Sequence, residues 1–68
     1  GRFNIETEDN VSILKISMYN LTGQRVYEKV LGEGVTRESV PAGTLPQGMY
    51  LLEIRTHKGV VTKKIIIH

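Results

Sequence analysis

LPQGMYLLEIRTHKGVVTKKIIIH, from Leu45 to His68, decides the fold of this chain, because it contains a turn, a strand, a second turn and another strand. Pro46 and Gly48 are typical of a tight turn, since proline pre-sets φ and glycine releases the chain into the next strand. Gly59 closes the second turn, T-H-K-G, which predicts a tight hairpin. The two strands are therefore expected to be antiparallel neighbours.

Alternation of side chains along these two strands predicts which face of each is buried. Tyr50, Leu52 and Ile54 fall on one face of the first strand, and we expect them in the core. The last strand differs, because it passes from T-K-K to I-I-I and neither of its faces is purely apolar. We expect it to be solvated at its start and covered on both sides at its end.

The rest of the chain shows the same period of two, without a helical stripe. Turn signals separate four further predicted strands, which are the region of Phe3 and Ile5, Val11 to Tyr19, Gln24 to Val30, and Thr36 to Val40. Alternation slips between Ile13 and Leu14, which favours a β-bulge there. The polar fourth segment precedes Pro41, and this suits the edge of a sheet.

Asn20 and Gly23 form the strongest turn signal in the first half of the chain. An asparagine side chain caps its own backbone, and glycine takes the positive φ that closes a short hairpin loop. With six or seven short strands and regular turn signals, the chain is predicted to be all-β, a small antiparallel β-sandwich.

Composition narrows the classes of protein to which the chain can belong. It has 68 residues and no cysteine, so we expect one small domain without a disulfide framework or a cysteine nucleophile. Its formal net charge of +2 is small and scattered, and implies neither nucleic acid nor anionic lipid as a partner. The chain opens without a basic-then-apolar leader, so we expect any export signal on a longer precursor.

The residues that carry chemistry form no recognisable catalytic set. His57 is expected at a hairpin tip and His68 is the last residue, and both are poor places for a preorganised base. They lie at opposite ends of one strand, about 30 Å apart in extended geometry, so we expect no shared metal ion. We therefore expect no enzymatic activity, no cofactor and no small-molecule substrate.

Two surface features have two interpretations each. Glu6, Glu8 and Asp9 form either a solvated acidic loop or a calcium site with oxygen ligands, although the spacing of an EF-hand is absent. Asn10 and Asn20 begin N-x-S/T triplets, which mark either glycosylation sites or turns capped by asparagine. Both alternatives stay open at this point.

Lys63 and Lys64 also have two interpretations. Lysines on an exposed strand protect it from pairing with another chain. Alternatively, positive charges beside an apolar terminal strand are a docking feature for an acidic or strand-accepting partner. Exposed edges of this kind also predict some self-association.

Three motifs in order resemble the type A C-terminal sorting domain of cargo proteins of the type IX secretion system of Bacteroidetes. That family has a D/N-x-x-G-x-x-V hairpin, an L-x-x-G-x-Y turn and strand, and a terminal strand in which lysine precedes three apolar residues. The matching residues are Asn20, Gly23 and Val26, then Leu45, Gly48 and Tyr50, and finally Gly59, Lys64 and Ile65 to Ile67. The resemblance covers essentially all of residues 2 to 68.

This resemblance implies an immunoglobulin-like β-sandwich without catalysis, carried as a single domain over residues 1–68 at the end of a larger secreted precursor. It also implies transit through the periplasm, recognition by the outer-membrane translocon, removal by a surface sortase and delivery of the cargo to the cell surface or the medium. We expect Lys63, Lys64, Ile65, Ile66 and Ile67 to form the recognised surface. The turn from Leu45 to Gly48 is expected to hold the penultimate strand in register.

An accessory module for adhesion or carbohydrate binding is the competing class. Carbohydrate modules usually stack sugars on exposed aromatic rings. The chain has no Trp, and its four aromatic residues are Phe3, Tyr19, Tyr27 and Tyr50. Since Tyr50 is expected in the core, the sequence gives this class little support.

Overall fold

A computed structural model describes residues 2–68, and in these it contains six β-strands and no helix. The strands are β1 (Arg2–Glu6), β2 (Ile13–Tyr19), β3 (Arg25–Val30), β4 (Arg37–Pro41), β5 (Gly48–Thr56) and β6 (Gly59–Ile67). β1 and β4 form a two-stranded antiparallel sheet, and the others form a four-stranded antiparallel sheet in the order β3-β2-β5-β6. The predicted all-β sandwich is confirmed, while Gly1 lies outside the described residues.

Both sheets contribute to one apolar core that lies between them. Its buried side chains are Ile5, Ile13, Ile16, Met18, Val40, Tyr50, Leu52 and Ile54. In the larger sheet Met18 is the register partner of Leu52, and Ile16 is the partner of Ile54, so the central strands β2 and β5 form the floor of the core. The predicted inner face of β5 is therefore confirmed.

The outer face of the four-stranded sheet is exposed to solvent along both edge strands. Val30 and Ile66, on the two edge strands, are 72% and 60% exposed. The expectation that the end of the last strand is covered on both sides is therefore wrong. Ile65 and Ile67 are partly buried against the core, but the two-stranded sheet lies on one side only and leaves Ile66 uncovered.

β2 begins at Ile13, two residues later than the predicted start at Val11. The backbone amide of Ser12 donates a hydrogen bond to Nδ1 of His57 (3.2 Å), at the tip of the β5–β6 hairpin, so this part of the chain follows a loop path. The predicted irregularity is present, because the register between β2 and β5 shifts between Ile13 and Lys15.

β4 runs from Arg37 to Pro41, one residue further along the chain than predicted at both ends. Pro41 is the register partner of Arg2. A proline is tolerated there because β4 pairs with β1 alone and its other side is a free edge. In the described part of the chain, no element is a helix long and apolar enough to cross a membrane.

An ion pair connects the two sheets on the β3 side of the sandwich. Lys29 is the register partner of Ile16, which places it on the core-facing side of β3. Its Nζ donates to Oε2 of Glu38 on β4 (2.5 Å), and the Glu38 side chain is only 17% exposed. This hydrogen bond and the charge of Glu38 raise the pKa of Lys29 above its ordinary value.

The raised pKa of Lys29 predicts how this ion pair responds to pH. A raised folded-state pKa means that the stabilisation is complete below the unfolded-state pKa, about 10.4, and is lost as pH rises through the folded-state value. We expect the difference in free energy of unfolding between the wild type and Lys29→Gln to be constant from about pH 7 to about 10 and to shrink above that. Urea unfolding at several pH values measures it, with Lys58→Gln as the control, and a difference that grows at alkaline pH contradicts the assignment.

Candidate recognition site

β6 is an edge of the four-stranded sheet, because it pairs with β5 alone. The backbone groups on its second side have no ladder partner among residues 2–68. A row of free N–H and C=O groups is a template on which another strand can pair. The strand that contains the predicted recognition residues is thus available for strand addition.

Lys63 and Lys64 lie on opposite faces of β6. Lys63 is the register partner of Leu52, which is buried, whereas Lys64 is the partner of Leu51, which is exposed. Because cross-strand partners share a face, Lys63 lies on the core-facing side and Lys64 on the outer side. The side chains of the two lysines therefore lie on opposite faces of the sheet.

The outer surface consists of Met49 and Leu51 from β5 and of Lys64 and Ile66 from β6, and we call it the outer patch. Met49 is the register partner of Ile66, and Leu51 is the partner of Lys64, so the four side chains are contiguous. Met49 is 38% exposed and Ile66 is 60% exposed. The outer patch is thus an apolar surface with one positive charge at an open sheet edge.

On the other face, an open groove separates β6 from β1, and we call it the edge groove. Its residues include Arg2–Glu6 of β1, positions 63–67 of β6, and Leu52 and Ile54 of β5 as the floor. It has a volume of about 810 Å³, and a further hollow of about 570 Å³ continues it toward the start of β6. Lys63 lines both parts, so this side chain lies where they meet.

The L-P-Q-G turn is joined to the core by a tyrosine. The hydroxyl of Tyr50 donates a hydrogen bond to the backbone oxygen of Pro46 (2.6 Å), while its ring is buried. Gly48 follows with a φ of +150°, and Leu45 packs against the core. Gly48 is the register partner of Ile67, so the turn that starts β5 also positions the end of β6.

The connection between β2 and β3 is capped by its own side chains. Oδ1 of Asn20 accepts hydrogen bonds from the backbone N–H groups of Thr22 (3.2 Å) and Gln24 (2.9 Å), while Gly23 has a φ of +87°. Nδ2 of the same asparagine donates to Oε1 of Gln24 (3.1 Å). Both ends of this side chain therefore serve the turn, which favours the capping interpretation of this N-x-S/T triplet.

The remaining candidate residues have structural contacts. Oε2 of Glu6, at the start of the acidic loop, accepts a hydrogen bond from Arg37 (2.9 Å). Among residues 2–68 no group of three or more His, Cys, Asp or Glu side chains could hold a metal ion. Nδ1 of His57 accepts the hydrogen bond from the backbone amide of Ser12. His68 lies apart from it and lines the edge groove.

None of the aromatic side chains in the described part of the chain is fully exposed. Tyr50 is buried, and Phe3, Tyr19 and Tyr27 are half-buried. Phe3 and Tyr27 pack against the core. The arrangement gives no support to a carbohydrate-binding module.

Removing the Tyr50 hydroxyl tests how strongly the turn is held. We expect Tyr50→Phe to lower the free energy of unfolding by about 1 kcal/mol, because one intramolecular hydrogen bond is lost and the ring remains. Tyr27→Phe is the matched control, since that hydroxyl makes no hydrogen bond among the described residues. Urea unfolding measures both, and equal losses in the two variants contradict a specific role for the Tyr50–Pro46 contact.

Gly23 provides a test of the β2–β3 turn. A Cβ at this position would meet nothing within 4 Å, so the cost of Gly23→Ala comes from the positive φ alone. We expect a loss of about 1 kcal/mol in the free energy of unfolding. Gly32→Ala is the control, because that site is equally open and has no positive φ, and it should be neutral or slightly stabilising. A neutral Gly23→Ala would show that the turn does not require the left-handed conformation.

Comparison with known families agrees with the motifs and with the fold. The model of the family described as Secretion system C-terminal sorting domain matches residues 1–68, the whole chain. No curated protein and no solved structure matches the chain significantly. The chain therefore belongs to the family of secretion system C-terminal sorting domains, the sorting signals of type IX secretion.

Proposed function

We propose that this chain is the C-terminal signal of a larger secreted precursor and that the outer patch is the surface by which the outer-membrane translocon recognises it. The observation that carries the proposal is the exposure of Ile66 beside Lys64 on an edge strand. An apolar patch at an open edge favours aggregation unless a partner covers it. Recognition by a translocon gives this patch a function.

The rest of the domain suits a signal that is attached to many different cargoes. Its core is built from its own two sheets, so its fold does not need the cargo. The Tyr50–Pro46 hydrogen bond fixes the turn that starts β5, and Met49 of this strand is the register partner of Ile66. The recognised surface is thereby held in one geometry, which reduces the entropic cost of binding.

Membership of the family supports a proposal for the finer steps. We infer that the cargo crosses the periplasm with this domain folded, passes the outer membrane, and reaches the cell surface or the medium. A surface sortase then removes the domain, as the resemblance implies. The domain itself takes no part in that chemistry and acts only as a binding surface.

Substitutions in the outer patch test the proposal better than deletion of the last strand does. Deletion removes Ile65 and Ile67, which pack against the core, and so confuses loss of folding with loss of recognition. Ile66 and Lys64 are exposed, and changing them should leave the fold intact. Val30 provides a matched control, because it is an exposed apolar residue on the outer face of the opposite edge strand.

We expect Ile66→Asp in a reporter carrying this domain to reduce surface delivery at least about tenfold, because truncating or charging an apolar anchor typically costs 2 kcal/mol or more. Val30→Asp should be delivered like the wild type. The measurement is the ratio of surface-exposed to periplasmic reporter in a type IX-competent host, with thermal unfolding of each purified variant as a check on folding. Normal delivery of folded Ile66→Asp would exclude the outer patch as the recognised surface.

A further inference from the structure

The two edges of the four-stranded sheet each carry a lysine on the core-facing side. On β3 this is Lys29, which is neutralised by Glu38 of the opposite sheet. On β6 it is Lys63, which makes no ion pair and no hydrogen bond within residues 2–68. Glu6, Glu8 and Asp9 line the second hollow together with Lys63, but Glu6 is bonded by Arg37, and none of the three forms an ion pair with Lys63 in the described part of the chain. The positive charge of Lys63 in the edge groove therefore has no acidic partner among the described residues, whereas the corresponding lysine on the other edge strand, Lys29, is paired with Glu38.

The groove is bounded by two strand edges that run in opposite directions. Arg2 and Phe3 line it together with the end of β6, whereas the loop after Glu6 lines the part beside Val60 and Val61. β1 pairs with β4 alone and β6 pairs with β5 alone, so both strands turn unpaired backbone toward the gap. The floor is apolar, and the volume of about 810 Å³ falls in the range of about 300–1,000 Å³ that is usual for binding sites.

We propose that the edge groove takes an extended strand of a partner protein, which pairs with β6 and places a carboxylate side chain against Lys63. Backbone hydrogen bonds would supply affinity, and the side chains that alternate toward the floor would supply specificity. Apolar residues two positions before and after the carboxylate would lie beside Val61 and Ile65, which flank Lys63 on the same face of β6. The partner chemistry is therefore a strand of the pattern apolar-x-acidic-x-apolar.

A second copy of this chain does not supply that chemistry through the same strand. Residues 59–68, GVVTKKIIIH, contain no acidic side chain, so pairing β6 with β6 provides no carboxylate for Lys63. It would instead add the lysines of the second copy, and like charges directly opposite one another destabilise a strand pair. Charge complementarity thus favours a foreign acidic strand over self-association at this edge.

The inference names the chemistry of the partner at the strand that the proposed function assigns to recognition, and in that respect it rests on the proposed function. The main alternative interpretation is that Lys63 only protects the edge, since an inward-pointing charge also prevents unwanted strand pairing. The two differ in a measurable way. A protective lysine rejects every strand, whereas a docking lysine selects strands by the charge they bring.

Titration of the isotope-labelled 68-residue chain with two blocked peptides tests the groove directly. One peptide is Thr-Val-Thr-Glu-Thr-Val-Thr, and the other has lysine in place of glutamate. We expect the glutamate peptide to shift the NMR signals of amides in β6 and β1 and to leave those of β3 unchanged. The lysine peptide should bind about twofold to fivefold more weakly, which corresponds to the upper part of the range for a single partly exposed ion pair.

Charge reversal supplies the matched pair of variants. Lys63→Glu should invert the preference between the two peptides, whereas Arg55→Glu, which changes an exposed cation on β5 outside both parts of the groove, should keep it. Equal binding of both peptides, no shift in β6, or an equal effect of the two variants would each overturn the inference. Signals of β6 that shift with protein concentration alone would identify a second copy as the occupant and overturn it as well.

Failure of this inference is distinguishable from failure of the proposed function. If neither peptide binds but folded Ile66→Asp still blocks delivery, the groove inference is wrong and the outer patch stands. If the glutamate peptide binds as expected and folded Ile66→Asp is delivered normally, the groove is a binding site and the outer patch is not the recognised surface.

Discussion

The structure depends on a mismatch of width, because a sheet of two strands lies against a sheet of four. Neighbouring strands are about 4.8 Å apart, so the larger sheet is about 14 Å across between its outer strands and the smaller one about 5 Å. The smaller sheet covers the central strands and reaches β3 through the Lys29–Glu38 ion pair. The core-facing side of β6 is left open, and the edge groove and the unpaired charge of Lys63 follow from this, while the free backbone edge follows from the outermost place of β6 in its sheet.

The small size of the chain makes this exposure costly to stability. With 68 residues and no cysteine, the domain depends on a modest core and on local contacts such as the Tyr50–Pro46 hydrogen bond. An additional strand paired with β6 would cover its free backbone edge and stabilise the fold. It would also remove the only strand edge that lies beside both the outer patch and the edge groove in the described residues, so stability and recognition compete for the same surface.

Local features of the fold could be predicted from the sequence, whereas the site could be predicted only in part. The inner face of β5 and the Asn20 turn depend on alternation and turn chemistry, which are properties of neighbouring residues. Lys63 and Lys64 lie on opposite faces because they are neighbours in a strand. That Lys63 is the one on the core-facing side follows from the two-residue loop of the T-H-K-G hairpin, since the pairing of Thr56 with Gly59 places Leu52 against Lys63. This register could have been counted before the structure was known.

What could not be predicted is where the strands of the small sheet lie. The number of strands that cover the core is decided by packing between distant segments, and no local pattern contains it. The sequence pattern also does not contain the fact that the small sheet covers one face only, and this is why Ile66, on the outer face, is exposed although the pattern predicts a strand end covered on both sides. The pairing of Lys29 with Glu38, and the lack of such a partner for Lys63, are also consequences of this packing.

Hydrogen–deuterium exchange of the free domain tests most directly whether β6 is an open edge. On the edge strand of an antiparallel sheet, alternate residues bond to the neighbouring strand and the others face outward. The account predicts slow exchange throughout the central strands β2 and β5, and an alternating slow and fast pattern from Gly59 to Ile67. Uniformly slow exchange along the whole of β6 would show that its second side is already covered and would contradict the account.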